Sequence, residues 1–362
     1  MHMLSRSWWF RVNVVAFRFD ASPFIGIGHA MRCLELSRQF VLAGWKVFFV
    51  VNRVQREMEV VLTRHNAEIL ILPHTEIIDS KQDALDTIKL MQREHIQPIW
   101  FIVDHYSLDS HWETVISNWG PKVAAIDDLA NRAHLCDALM DMNPVNDWEN
   151  RYKSLVPEYC RTFLGPSYLI LRPEFRAVNV SDETIPSISH VGVSYGGGDP
   201  TEETEKLLSV ISRAEYSGIT FEIIAGYSNS RKSQLAAICE KYKNVVFHEQ
   251  IEDMASFFKR IDLFVGAGGG TLWEAFSCAV PAVVTTVAEN QIQTVQYLSQ
   301  FKLIWSLGWH DNVTEEYIAS KLNGLLLDST DYVSKRKAVS DFIRPVLLND
   351  IHPLVRYILE LE

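Results

Sequence analysis

The feature that most constrains this chain is a recurring couplet. An apolar run of strand length ends in a polar residue or glycine, and a segment of helical period follows. The strand-like runs are Val12–Phe17, Lys46–Val51, Ile69–Leu72, Ile99–Val103, Val123–Ile126 and Ala138–Met142, with helical Ala30–Leu42 and Lys81–His95 between them. Prolines at 144, 157, 166, 173 and 186 then interrupt the pattern, so 143–187 reads as a connecting region. The couplet restarts with His190–Ser194, Phe221–Ala225, Val245–His248, Leu263–Val265 and Ala282–Thr285. Helical segments Glu202–Arg213, Lys232–Tyr242, Met254–Lys259 and Leu272–Ser277 separate these runs, and a mostly helical tail covers 314–362. Such alternation predicts parallel sheets covered by helices. The expected organisation is two Rossmann-like α/β domains facing across a cleft, the first 1–187 with its connector and the second 188–362 with the tail. Ligands bind at the carboxyl ends of the strands in such a cleft.

Composition narrows the class. With 362 residues, 48% of them hydrophobic, the chain is long enough for two cores. Its 45 acidic against 34 basic side chains give a net charge of −11, which argues against a nucleic-acid partner. No apolar stretch reaches the roughly 18 residues of a spanning helix. The five cysteines are odd in number and contain no CxxC pair, a pattern expected of reduced thiols in the cytoplasm. The Trp8-Trp9-Phe10 cluster reads either as a touch on a membrane interface or as a lid on the first strand; no signal-peptide core follows it.

Four clusters carry chemistry. The first is Arg18-Phe19-Asp20 followed by Gly26-Ile27-Gly28-His29-Ala30-Met31-Arg32. Glycines where a strand gives way to a helix let backbone N–H groups approach an anion. A dinucleotide fingerprint fits less well, because Met31 stands at its third glycine and no acid ends the second strand. Arg53 there keeps an NADP reading open. On the first residues of a helix, His29 is placed to stay neutral and take a proton from water; the alternative is a histidine that only caps its helix. The second cluster is Asp104-His105-Tyr106 with Asp127-Asp128, each group directly after a strand, either facing the crevice or capping the next helix.

The third cluster, Ser194-Tyr195-Gly196-Gly197-Gly198-Asp199, offers a backbone nest for phosphate. It also contains a formal GxSxG, but the loop after Ser194 is too long for a nucleophile elbow, and the downstream partners Asp262 and His310 are not positioned by sequence. The fourth is Gly266-Ala267-Gly268-Gly269-Gly270, opening a helix that bears Glu274, a carboxylate suited to accept from a ribose diol. Asn290 and Gln291 follow the next strand and suit hydroxyl or acetamido groups. No HExxH, paired-cysteine set or DxD is present, so phosphate charge falls to the glycine-rich helix starts and arginines such as Arg172. Together these residues point to a nucleotide-diphosphate sugar held across the cleft.

In this order the motifs resemble those of the UDP-2,4-diacetamido-2,4,6-trideoxy-β-L-altropyranose hydrolase family of pseudaminic acid biosynthesis. The resemblance runs through Arg18-x-Asp20, Gly28-His29-x-x-Arg32, Val103-Asp104-His105-Tyr106 and Ile126-Asp127-Asp128. It continues through Leu164-Gly165-Pro166-x-Tyr168-x-x-Leu171-Arg172, Gly196-Gly197-x-Asp199-Pro200, Gly268-Gly269-x-x-x-Trp273-Glu274 and Asn290-Gln291. That family is similar to GT-B glycosyltransferases, notably the one that makes lipid II, but passes its sugar to water. The resemblance implies a metal-independent, inverting hydrolase without cofactor, with a UDP-sugar as its small-molecule partner. It implies His29 as the base and Arg18, Asp20, Gly28, Arg32, Tyr106, Arg172, Gly197, Gly198, Gly269, Gly270, Glu274, Asn290 and Gln291 as substrate-binding residues. A GT-B glycosyltransferase using a UDP-amino sugar donor is the alternative, and a non-catalytic nucleotide-sugar sensor the third reading.

Overall fold

The computed structural model describes residues 12–21, 28–52, 54, 56–63, 66–73, 75, 77–176, 187–226, 228–249, 251, 253–327 and 329–362. The Trp8-Trp9-Phe10 cluster, Gly26 and Arg53 lie outside the described residues.

The first half runs β1 (Val14–Phe19), α1 (Gly28–Leu42), β2 (Lys46–Val51), α2 (Arg56–Thr63), β3 (Ala67–Ile71), α3 (Ser80–Arg93), β4 (Trp100–Asp104), α4 (Ser110–Trp119), β5 (Lys122–Ile126), β6 (Ala138–Asp141) and β7 (Arg161–Leu164). A short helix, α5 (Pro173–Arg176), leads to the second half. There follow β8 (His190–Ser194), α6 (Glu203–Ile211), β9 (Thr220–Ile224), α7 (Lys232–Cys239), β10 (Val245–His248), α8 (Met254–Arg260), β11 (Leu263–Ala267), α9 (Gly270–Ser277), β12 (Ala282–Thr286), α10 (Ile292–Gln300) and β13 (Ile304–Trp309). The tail forms α11 (Glu315–Leu327), α12 (Ser329–Leu347) and α13 (Pro353–Leu361).

All pairings are parallel, in the orders β3-β2-β1-β4-β5-β6-β7 and β10-β9-β8-β11-β12-β13. The period-2 alternation of β1 explains its burial on both faces. Val15, Phe17 and Phe19 pack under α1 with Ala30, Leu34 and Phe40, while Ala16 turns to the opposite core with Val103 and Trp112. In each half the chain winds outward from its first strand and then restarts on that strand's other side. The two switch points therefore lie between β1 and β4 and between β8 and β11, where the carboxyl ends open a crevice.

Strands β7 and β13 extend the expected sheets. Pro157 and Pro166 flank β7 without interrupting it, so a region read as connector supplies a seventh strand. Around the expected boundary at 187/188, segments from each side pack into the other half. Leu169, Leu171 and Phe175 already lie in the core of the second half. In return, α13 buries Leu354, Val355 and Ile358 in the core of the first. Pro353 begins that helix and His352 Nδ1 accepts from Leu354 N at 3.2 Å, so the return is capped as well as buried.

Candidate active site

His29 occupies the second position of α1 beside the first switch point, and it is 5% exposed. Asp104 ends β4 opposite Phe19 in register, which brings its carboxylate to the start of α1. His29 Nδ1 lies 2.6 Å from Asp104 Oδ1. An ionised carboxylate only accepts, so the Nδ1 proton is donated to Asp104, and in the neutral imidazole Nε2 carries the lone pair. Among the described residues Nε2 has no hydrogen-bond partner. Burial alone would raise the Asp104 carboxyl, but the charges of Arg32 and the contact with His29 hold it well below the usual carboxylate range. Tyr106 sets its ring edge-on to the imidazole with centroids 4.6 Å apart.

One turn along α1, Arg32 donates through Nε and Nη2 to Asp104 and through Nη1 to both oxygens of Asp128 at 2.9 Å. Asp128 also accepts from Tyr106 Oη at 3.0 Å and from Asn143 Nδ2 at 2.9 Å. The adjacent Asp127 is turned elsewhere and accepts from Ala130 N, Arg132 Nη1 and Tyr152 Oη, all within the first half. Burial and the neighbouring Asp128 charge push the Asp141 carboxyl up to about 6, despite its pairing with Arg151.

Arg18 and Asp20, expected among the substrate-binding residues, are paired inside the protein. Arg18 is fully buried and forked onto Asp83 (3.0 and 2.6 Å) and Asp20 (2.7 Å), with Trp112 Nε1 also donating to Asp83 at 2.9 Å. Asp20 receives Asn52 N at 2.7 Å and lies 3.3 Å from His105 Nε2. Among the described residues both side chains are fully buried and paired with each other.

Across the cleft, the turn after β8 bends at Gly196, whose φ of +85° favours glycine. Asp199 holds the turn to α6 by accepting from Glu203 N and Thr204 N, both at 3.0 Å. Gly198 faces Ser228 Oγ, and Gly197 O accepts from Ser228 N at 2.9 Å. Gly269 caps α9 and Gly270 opens it; a methyl group on Gly270 would meet nothing within 4 Å, so that helix start is open to a ligand. Gly266 and Gly226 do the opposite, packing backbone on backbone, with an added Cβ only 2.1 Å from Ser194 O and 2.3 Å from Gly196 O respectively. Both open loops flank the second switch point.

Glu274, in the second turn of α9, accepts from Arg172 Nε at 3.0 Å and lies 2.9 Å from its Nη2. Burial raises its carboxyl against the opposing pull of Arg172. Arg172 is shared with Glu174 at 3.0 Å. Asn290 donates to Tyr106 Oη at 3.0 Å, joining the halves directly over His29. Gln291 instead turns its Oε1 back to Val287 N at 3.1 Å and supports the turn into α10. Gly28 begins α1 with open space around it.

The serine-hydrolase reading fails on geometry. Asp262 accepts from Ser189 and His190 at the amino-terminal edge of the second sheet, the end opposite Ser194. Residues that the sequence did not single out include Asp83, Asn143, Arg151 and Tyr152. Arg151 bonds Asp128 O at 3.0 Å and Gln293 at 3.1 Å, a second bridge between halves.

No family model matches the chain. In structure it is similar to the glycotransferase of kitacinnamycin, with a TM-score of 0.66 at 17% identity over 97% of this chain and 99% of that one. MurG of Acinetobacter baumannii gives 0.64 at 12% identity over 96% and 98%. The fold is GT-B. In sequence, the chain is 22% identical over 287 residues to the UDP-2,4-diacetamido-2,4,6-trideoxy-β-L-altropyranose hydrolase of Campylobacter jejuni, covering 79% of this chain and 96% of that protein. It is thus a distant relative of that hydrolase. It is also 26% identical over 167 residues to the spore coat polysaccharide biosynthesis protein SpsG of Bacillus subtilis (46% of this chain), and 26% over 298 residues to the uncharacterized protein MJ1062 of Methanocaldococcus jannaschii (80%). The chain spans about half the length of these last two relatives, 49% and 58%. No described helix is long and apolar enough to cross a membrane.

Proposed function

We propose that the chain hydrolyses UDP-2,4-diacetamido-2,4,6-trideoxy-β-L-altropyranose to UDP and the free sugar, in the cytoplasm, as a step of pseudaminic acid biosynthesis. The observation that carries this reading is the His29–Asp104 pair beside Tyr106, which Asn290 of the second half reaches by a hydrogen bond. Asp104 orients the imidazole, and Nε2 takes a proton from water as the oxygen attacks C1 on the face opposite UDP. The configuration at C1 inverts through an oxocarbenium-like transition state, by analogy with glycosidases. UDP is a good leaving group, so the N–H groups opening α9 and those after β8 suffice to receive the growing diphosphate charge. Glu274 takes the ribose hydroxyls, with Arg172 released from it toward phosphate. No metal is needed for these steps, so a chelator is expected to leave turnover unchanged; loss of activity restored by a divalent ion would end the metal-free reading.

Glu274→Ala is expected to weaken UDP binding about tenfold or more while slowing bound substrate little, from the loss of hydrogen bonds to a charged group. Calorimetry with UDP beside single-turnover kinetics separates the two effects. The reaction itself is tested by supplying the nucleotide sugar in oxygen-18 water without any acceptor. Label on the sugar's C1 and none on phosphate supports the reading; label on phosphate means P–O cleavage and ends it.

The second reading is a GT-B transferase with a UDP-amino sugar donor. It is favoured by the solved neighbours, which are named as glycosyltransferases.

A further inference from the structure

The motif pattern puts Arg32 among the substrate-binding residues, yet its donors are engaged inside the protein. A guanidinium has five N–H groups. Nε and Nη2 supply Asp104, Nη1 supplies both oxygens of Asp128, and Nη2 also lies 3.2 Å from His29 Nδ1, whose proton goes to Asp104. The side chain is 10% exposed. This double fork commits the guanidinium to two carboxylates, so its charge is already compensated inside the protein.

We propose that Arg32 is a positioning residue that keeps the His29 imidazole aimed until water arrives, and that links it to the second half of the protein. The link is continuous: Asn290 donates to Tyr106 Oη, Tyr106 donates to Asp128, Arg32 bridges Asp128 to Asp104, and Asp104 holds His29. The proposal rests on His29 acting as the base.

Charge explains why an arginine stands there. The groups facing His29 are Asp104 from β4, Arg32 from α1, and His105 and Tyr106 from the segment after β4; Asp128, after β5, acts through Arg32. One guanidinium between two carboxylates leaves a single net negative charge, matched to the imidazolium that forms during attack. Without Arg32, two carboxylates would hold a proton on the imidazole beforehand and remove the base. Without the Asp128 charge, the balance tips the other way.

The test uses the full chain with Arg32→Met, Arg32→Lys and Asp128→Asn. Arg32→Met is expected to bind UDP within about threefold of wild type and to lose about 100-fold in kcat with little change in KM. The acid limb of its pH–rate profile moves up by about one unit, and added guanidinium restores part of the rate. Arg32→Lys, which keeps the charge but loses the fork, falls between. Asp128→Asn moves the acid limb in the opposite direction, and it carries the test if Arg32→Met does not fold. A raised KM with kcat retained would make Arg32 a substrate ligand and overturn the proposal. So would a lower kcat with an unmoved pH profile. Nitrogen-15 NMR of the imidazole provides a readout independent of turnover: the pH at which the His29 Nε2 signal shifts on protonation, higher in Arg32→Met than in wild type. If wild type releases no UDP without an acceptor, the hydrolase reading fails alone, and this signal still decides the role of Arg32.

Discussion

His29→Ala is expected to reduce UDP release from the nucleotide sugar by about 10³-fold or more, with UDP affinity within about twofold of wild type. The size follows from general-base catalysis, where a positioned base contributes about 10²–10⁴-fold. It belongs at the upper end because no second base stands ready among the described residues. Asp104 is occupied by Nδ1 and Arg32, and Asp128 by Arg32, Tyr106 and Asn143. His105 turns its Nδ1 to Ser107 N at 3.0 Å and its Nε2 to Asp20. UDP affinity is spared because the glycine loops and Glu274 all lie on the second half. Asp104→Asn is expected to fall in the same direction, since an amide frees the imidazole to adopt the other tautomer. Single-turnover assays with calorimetry on UDP check the split. More than a tenth of wild-type turnover in His29→Ala would exclude the base, and a large loss of UDP affinity would instead place the histidine against the nucleotide.

Much of this is readable from pattern, and the limits of the reading have a physical cause. Strands such as His190–Ser194 fall where the apolar runs put them, because both faces of an interior parallel strand are buried. His29, Asp104, Tyr106, Glu274 and Asn290 are legible because strand ends at a switch point are where a doubly wound sheet exposes polar groups. The pairing of Arg18 and Asp20 is not legible in the pattern, for the complementary reason. The partner that absorbs Arg18 is Asp83, 65 positions away on a helix whose pattern gives no hint of it. Arg32 likewise meets Asp104 and Asp128 at separations of 72 and 96 positions. Sequence locates a charge near an edge; whether it faces ligand or another charge depends on long-range pairing. The same limit applies to α13, whose amphipathic face does not say which of two cores it joins.

Arg18→Met is expected to destabilise the fold by about 3–5 kcal/mol at pH 7, the cost of leaving buried carboxylates without their partner. Arg18 has no exposed surface, and it is gripped by Asp20 and Asp83 from α3 while Trp112 of α4 donates to the same Asp83. Its loss therefore strikes β1, α3 and α4 together. The pH dependence carries the sign. Burial pushes the Asp20 carboxyl up, but His105 and Arg18 outweigh it and hold the group below the usual carboxylate range. A carboxyl depressed on folding stabilises fully above its unfolded value of about 3.9, and that stabilisation fades as pH falls below it. In Arg18→Met the buried carboxyl has lost its cation and protonates more readily, which relieves the variant in acid. The gap between wild type and variant should thus be widest near neutrality and narrow toward about pH 3–4. Urea denaturation at several pH values measures it. A gap below about 1 kcal/mol, or one that does not change with pH, would reject the buried-pair account. If Arg18→Met were stable but raised KM, the arginine would belong to the substrate after all.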